Sequence, residues 1–211
     1  FPSGMHLLQE FGYTIDDIIG DGFEVTESIN TYNSIRGKSH QFSNSVKSIN
    51  DVLNNHTIDL VYIIGDRIEA YTAALAAHFL KIPIAHFGGG AITQGAVDDI
   101  YRFNITNLSE IHFTTSKNNY QRVLDCILTN NENVYFTGST AIDGIIKYRK
   151  NKKNVSRTDN QMRNFALMTF HPVTLGDDPI ANIMDSTINC ILAHDCNVFI
   201  TYPNNDNGYK D

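Results

Sequence analysis

The sequence predicts an α/β protein with two doubly wound parallel sheets, and three observations support this fold class. Short apolar runs typical of buried strands alternate with longer stretches of helical periodicity along most of the chain. Glycine, proline or polar residues follow most of these runs, as expected where a strand enters a loop. A polar stretch then separates the last apolar runs from the others, which predicts two domains.

The first predicted domain covers residues 1–150. Its strands are predicted at residues 59–64, 82–87, 110–115 and 133–136. Its helices are predicted at residues 41–53, 68–80 and 141–148, and around Asp98 and Arg102. A further helix is predicted to run to about residue 128, with Ser116 as its N-cap. No strand-and-loop signal precedes residues 4–7, although such a domain normally opens with a strand that leads into a phosphate-facing turn. We therefore expect that its first strand-and-helix unit is missing.

Residues 151–162 are the predicted linker, because they are mostly polar and follow a basic run. Residues 163–211 begin the second predicted domain, with strands at 165–170 and 197–201 and a helix at 179–194. Two strands and one helix cannot bury both faces of a sheet. We therefore expect that much of this domain is missing too.

Composition excludes several classes of function. The 211 residues are 42% hydrophobic and 18% charged, which is ordinary for a soluble globular protein. The net charge is -7 and the basic residues cluster only at 147–153, so we expect no nucleic-acid partner. No apolar stretch approaches the ~18 residues of a membrane span, so we expect no membrane partner. The start lacks a signal peptide and the three cysteines form no CxxC pair, which favours a cytoplasmic protein with reduced thiols.

Charged residues directly follow the strand at residues 59–64. Asp66 and Arg67 come after Gly65, at the sheet edge where doubly wound folds bind ligands. Two roles stay open for Asp66, a carboxylate facing a ligand or the N-cap of the next helix. Arg67 either faces a phosphate or lies in solvent. Glu69, in the first helical turn, is expected to interact with the helix dipole.

A second candidate region follows the strand at residues 82–87. The three glycines at 88–90 either let a ligand approach the backbone or form a structural turn. Asp98 and Arg102 are four residues apart and so share one helix face. They are either catalytic or a surface pair that contributes about 0.3–0.5 kcal/mol. Asp99 is expected in solvent.

The histidines divide by position. His171 ends a strand, where it is either an acid or base near neutral pH or a structural histidine. His86 and His112 lie inside strands and are expected in the core. No set of His, Cys and Asp has the spacing of a metal site, so we expect no metal.

Six motifs occur in one order along the chain. They are GDRxEA (65–70), HxGGGxxTxGxxDDxxR (86–102), HFTTS (112–116), TGSxxxD (137–143), TFHPVT (169–174) and YPNxDxG (202–208). With these motifs the chain resembles the UDP-N-acetylglucosamine 2-epimerases, especially the hydrolysing branch that feeds sialic and related nonulosonic acid synthesis. The likeness spans essentially the whole sequence.

The resemblance implies two Rossmann-like domains that face a cleft, as in GT-B glycosyltransferases, with the active site between them. It implies removal of the proton on sugar C2, elimination of UDP and addition of water, which yields N-acetylmannosamine. The implied partner is a UDP-amino sugar, without a cofactor, and we expect a homo-oligomer, either a dimer or a tetramer.

The motif positions also imply roles for individual residues. The residues that match the family's catalytic set are Asp66, Asp98, Arg102 and His171. The predicted substrate contacts are Arg67, Gly89, Gly90 and Asn204.

Two departures from the family pattern bear on activity. Ala91 stands where the HxHGGE pattern has a catalytic glutamate, and Phe103 stands where the pattern has histidine. Loss of a general acid or base typically costs about 10²–10⁴-fold in rate. Either Asp99, Gln94 or His86 substitutes, or the substrate differs, or the protein binds a nucleotide sugar without turnover. A GT-B glycosyltransferase is a third hypothesis, and only the architecture supports it.

Overall fold

The structure, a computed structural model, describes residues 1–31, 37–128, 131–151, 165–171 and 179–201. The chain divides into two compact units, one of Phe1–Ile92 with Asp98–Ser139 and one of Thr93–Val97 with Thr140–Asp211. The domain bounds predicted from the sequence stay predictions, and nearly all of the predicted linker lies outside the described residues.

The first unit contains a parallel sheet of four strands in the order β1-β2-β3-β4. The strands are β1 (Val61–Ile64), β2 (Ile84–Phe87), β3 (Ile111–Thr114) and β4 (Val134–Phe136). All four predicted strands are therefore confirmed. Because neighbouring strands are parallel, the loops that follow β1 and β2 leave the sheet at the same edge.

Five α-helices of the first unit lie in its described residues. They are α1 (Ile15–Gly20), α2 (Gly37–Asn55), α3 (Ile68–Phe79), α4 (Asp98–Leu108) and α5 (Lys117–Cys126). Ser116 caps α5 as its position predicts, because its hydroxyl accepts the backbone N–H of Asn119 at 3.1 Å. The described residues also contain three 3₁₀ turns, at Gly4–Leu7, Gln9–Phe11 and Asn131–Asn133.

The alanine-rich helix α3 lies at the centre of the core. It packs against α2, α4, β1 and β2, and its Ala74, Ala76 and Ala77 have no exposed surface. Side chains this small let neighbouring elements approach closely. Ile63 of β1 and Ile105 of α4 belong to the same buried cluster. The packing therefore fixes α4 relative to the end of β1, and these two places carry the candidate site.

The second unit contains α6 (Thr140–Asn151), β5 (Phe165–Thr169), α7 (Ile180–Leu192) and β6 (Asn197–Thr201). The two strands pair in parallel, and α7 packs on β6. The strands and helices predicted for these residues are confirmed.

None of the helices in the described part of the chain combines the length and hydropathy that crossing a bilayer requires.

Candidate active site

Asp66 lies in the loop between β1 and α3, one residue before the N-cap of that helix. Gly65 has a φ of 81°, in the left-handed region that favours glycine. The N-cap of α3 is Arg67, and its side chain makes no capping hydrogen bond. The N-cap role proposed for Asp66 is therefore wrong.

Arg102 of α4 is the centre of a charged cluster. Its Nε donates to Asp66 Oδ2 at 2.7 Å, and its Nη2 donates to the same oxygen. Its Nη1 donates to Asp99 Oδ1 and, at 2.8 Å, to the carbonyl of Ala91. Only 5% of Arg102 is exposed, so the interpretation of Arg102 as part of a surface pair is wrong. One buried guanidinium thus joins two carboxylates and the glycine-rich loop.

The two carboxylates of this cluster remain partly accessible. The side chains of Asp66 and Asp99 are 24% and 23% exposed. Both N–H groups that reach Asp66 bind Oδ2, and no other described residue hydrogen-bonds this carboxylate. Asp66 Oδ1 therefore keeps its capacity to accept a hydrogen bond.

The structure corrects the expectation for Asp99, which was predicted in solvent and is instead paired with Arg102. Asp98 is the first residue of α4. Burial and then the Asp98 carboxylate raise the pKa of Tyr101, so the acid lies near this phenol. The predicted catalytic role of Asp98 stays a prediction. The Arg67 side chain is 37% exposed, and its Nε lies 3.9 Å from Glu69 Oε2.

The glycine-rich loop packs tightly on two helices. A Cβ on Gly90 would collide with the backbone carbonyl of Asn119 in α5, and Gly90 also has a φ of 78°. A Cβ on Gly89 would lie 2.9 Å from Thr106 Oγ1 of α4. Close packing thus accounts for both glycines, and their predicted contact with substrate stays a prediction. Arg122 supports this loop by donating to the Gly90 carbonyl at 2.9 Å, and no motif or spacing pointed to it.

The two strand histidines are core residues, as predicted, with 0% of His86 and 1% of His112 exposed. His86 Nε2 donates to the Gly65 carbonyl at 2.9 Å, and Nδ1 lies 3.1 Å from Thr106 Oγ1. Burial lowers the pKa of His86 to about 4, although the bond to Gly65 raises it. Burial also lowers the pKa of His112. An enclosed, neutral His86 cannot itself touch a substrate.

The remaining predicted residues belong to the second unit. His171 follows β5 by two residues, as predicted, and its role in catalysis stays a prediction. Asn204 lies outside the described residues. Within the ranges that the structure describes, no three His, Cys, Asp or Glu residues gather as a metal ion would require.

Comparison with known proteins decides the family. The family model described as UDP-N-acetylglucosamine 2-epimerase matches residues 1–211. The chain belongs to this family. The predicted family is thus confirmed, and its members can be compared with the chain directly.

Two curated relatives show how much of such a protein the chain spans. It is 30% identical over 217 residues to UDP-N,N'-diacetylbacillosamine 2-epimerase (hydrolyzing) of Legionella pneumophila, with 98% of the chain and 56% of that protein covered. It is 28% identical over 195 residues to polysialic acid biosynthesis protein P7 of Escherichia coli, with 90% of the chain and 49% of that protein covered. The chain spans about half the length of these relatives.

Solved structures confirm the predicted fold class. The chain is similar to the crystal structure of UDP-GlcNAc 2-epimerase from Neisseria meningitidis bound to UDP-GlcNAc, with a TM-score of 0.73 and 20% identity. The match covers 90% of this chain and 55% of that one.

Proposed function

We propose that the protein is a hydrolysing UDP-sugar 2-epimerase. It would eliminate UDP from UDP-N-acetylglucosamine or a related UDP-amino sugar and add water, which yields N-acetylmannosamine or its analogue. The observation that carries the proposal is the cluster of Asp66, Asp99 and Arg102 at the carboxyl edge of the first sheet. Family membership and the name of the Legionella pneumophila relative support it.

The reaction makes specific demands on the site. A base takes the proton from C2, and the electron pair left behind forms the C1–C2 double bond. The bond from C1 to the diphosphate oxygen breaks, and UDP leaves with that bond's electron pair. Water then adds its oxygen to C1, while a proton returns to C2. A carboxylate held beside C2 and fixed polar groups around the departing charge lower these barriers.

We assign the base to the carboxylates around Arg102. Asp66 has a carboxylate oxygen without a protein partner among the described residues, so it can take up a proton. Arg102 donates most of its N–H groups to Asp66, Asp99 and Ala91. Few donors remain for a diphosphate, so we assign Arg102 to positioning the two acids. Asp98 and His171 remain proposed as further acid or base groups.

Because Ala91 stands where the family pattern has a catalytic glutamate, another residue must act as the second acid or base. Of the three residues considered as replacements, His86 is enclosed and Gln94 is exposed. Asp99 alone of the three shares Arg102 with Asp66. We therefore assign the second carboxylate to Asp99. The substrate contacts proposed are Arg67, Gly89, Gly90 and Asn204.

The test uses the full-length protein in deuterated buffer with two substrates, UDP-N-acetylglucosamine and UDP-N,N'-diacetylbacillosamine. We expect UDP release with one of them, together with deuterium at C2 of the released sugar. Asp66→Asn should lower kcat by about 10²–10⁴-fold, because it removes a general base. Asp59→Asn is the control, since it removes the same charge from an exposed residue two positions before β1.

Other results would contradict the proposal. Tight binding of both nucleotide sugars without UDP release or exchange would identify a binding protein, the alternative that Ala91 favours. Sugar transfer that requires an added acceptor would identify a glycosyltransferase. Wild-type turnover by Asp66→Asn would remove Asp66 from the mechanism.

A further inference from the structure

His86 connects the residue before Asp66 to α4, the helix that carries Arg102. Its Nε2 lies 2.9 Å from the carbonyl oxygen of Gly65, the residue directly before Asp66. Its Nδ1 lies 3.1 Å from Thr106 Oγ1 on the opposite side of the ring. The same Thr106 hydroxyl lies 2.9 Å from the carbonyl oxygen of Arg102. One enclosed ring thus spans the gap between the end of β1 and the turn of α4 that follows Arg102.

Hydrogen-bonding chemistry defines how this connection works. A carbonyl oxygen only accepts, so His86 Nε2 carries the proton. In the neutral ring Nδ1 is then an acceptor, and the Thr106 hydroxyl must donate to it. The Arg102 carbonyl does not depend on that hydroxyl, because within α4 it receives a backbone N–H from the next turn. The neutral imidazole therefore satisfies both of its nitrogens with protein groups.

Gly89 packs against both atoms of the contact between His86 and Thr106. A Cβ at this position would lie 2.9 Å from Thr106 Oγ1 and 3.3 Å from His86 Nδ1. The backbone of Gly89 lies outside the left-handed region, so alanine is excluded here by space and not by conformation. The bond between His86 and Thr106 thus accounts for the glycine.

We propose that His86 and Thr106 are positioning residues that hold Asp66 and Arg102 within hydrogen-bonding distance of each other. Neither residue touches substrate, and neither supplies a proton to the reaction. Together they fix the distance between the loop after β1 and the turn of α4 that holds Thr106, one turn after Arg102, which lets the guanidinium meet Asp66 Oδ2 through two N–H groups. The effect on turnover rests on the proposed function, whereas the effect on the ion pair does not.

The matched variants are Thr106→Val, which keeps the shape and removes the hydroxyl, and Thr106→Ser, which keeps the hydroxyl. In the full-length protein, ¹⁵N spectra should show His86 as the Nε2–H tautomer in the wild type and in Thr106→Ser. Thr106→Val should shift the Nδ1 resonance of His86 and the ¹³C resonance of the Asp66 carboxylate. Thr114→Val is the control, because it removes another buried hydroxyl, one that donates to the Tyr135 carbonyl.

Activity supplies a second readout. Thr106→Val should lower kcat by about 10–100-fold, since small displacements of a reacting group cost up to about 10²-fold, while Thr106→Ser stays near the wild type. Gly89→Ala should reproduce the spectral shifts by pressing on the same two atoms. Unchanged His86 and Asp66 resonances in Thr106→Val would overturn the proposal, and so would equal shifts in Thr114→Val. If the wild type proves inactive, the spectra still decide the positioning role.

Discussion

Replacing Arg102 by methionine should destabilise the protein mainly through the carboxylates it leaves behind. The Arg102 side chain is 6% exposed, and the Asp66 and Asp99 side chains are 24% and 23% exposed. Removing one partner of a buried ion pair costs about 3–5 kcal/mol, because the other charge stays desolvated. The residual exposure of both acids favours the lower end, so we expect a loss of about 3 kcal/mol in the free energy of unfolding.

A double-mutant cycle isolates the interaction between Arg102 and Asp66. Asp66→Asn in the Arg102→Met background removes one stranded charge, so it should recover part of the lost stability. Contacting charged residues typically show coupling energies of about 0.5–3 kcal/mol, and we expect at least about 1 kcal/mol here. Asp99 keeps its charge throughout, which leaves the double variant less stable than the wild type.

Urea denaturation of the four proteins near neutral pH, at low and at high salt, measures this coupling. Salt screens buried pairs far less than exposed ones, so the coupling should persist at high salt. Lys47→Met, which removes an exposed cation from α2, should stay within about 0.5 kcal/mol of the wild type. A coupling below about 0.5 kcal/mol, or one that high salt abolishes, would refute the assignment of a buried ion pair.

Three further predictions follow from the same part of the structure. Burial lowers the pKa of His86 from 6.5 to about 4, so between these pH values the unfolded chain binds a proton that the folded chain does not. The contribution of His86 to the free energy of unfolding should therefore be fully present above pH 6.5. It should fall by about 3 kcal/mol as the pH drops toward 4. Urea midpoints across this range should fall more steeply for the wild type than for His86→Gln, and parallel profiles would contradict the assignment. Gly90→Ala should cost more than about 2 kcal/mol in the free energy of unfolding, since it combines a positive φ with a collision against Asn119. In contrast, Gly144 lies in the middle of α6 with open space around it, so Gly144→Ala should raise the free energy of unfolding by about 0.5–1 kcal/mol. Similar losses in the two variants would show that close packing is not the reason for glycine at position 90. Ser116→Ala should cost about 1 kcal/mol in thermal or urea unfolding by removing the hydroxyl that caps α5, and no measurable loss would mean that Asn119 finds another acceptor.

Local chemistry in the sequence was sufficient to predict much of the fold. Apolar runs of strand length and helical periodicity predicted the strands and helices, and Ser116 predicted the start of α5. A parallel sheet brings the loops after its strands to one edge, so the alternation of strands and helices was enough to place Asp66 and the glycine-rich loop at that edge, while the structure shows that their strands are neighbours. The burial of His86 and His112 followed from their positions inside strands.

Only the tertiary structure decided which charges meet. Residues three and four apart both neighbour each other on a helix, so spacing alone could not separate Asp98 from Asp99 as a partner of Arg102. The packing of α4 against α3 sets how α4 is rotated, and it directs Arg102 toward an acid 36 residues away in sequence. The bridge from His86 to Thr106 depends on the same packing, because it joins a strand to a helix. Periodicity describes one element at a time, whereas the candidate site consists of contacts between elements.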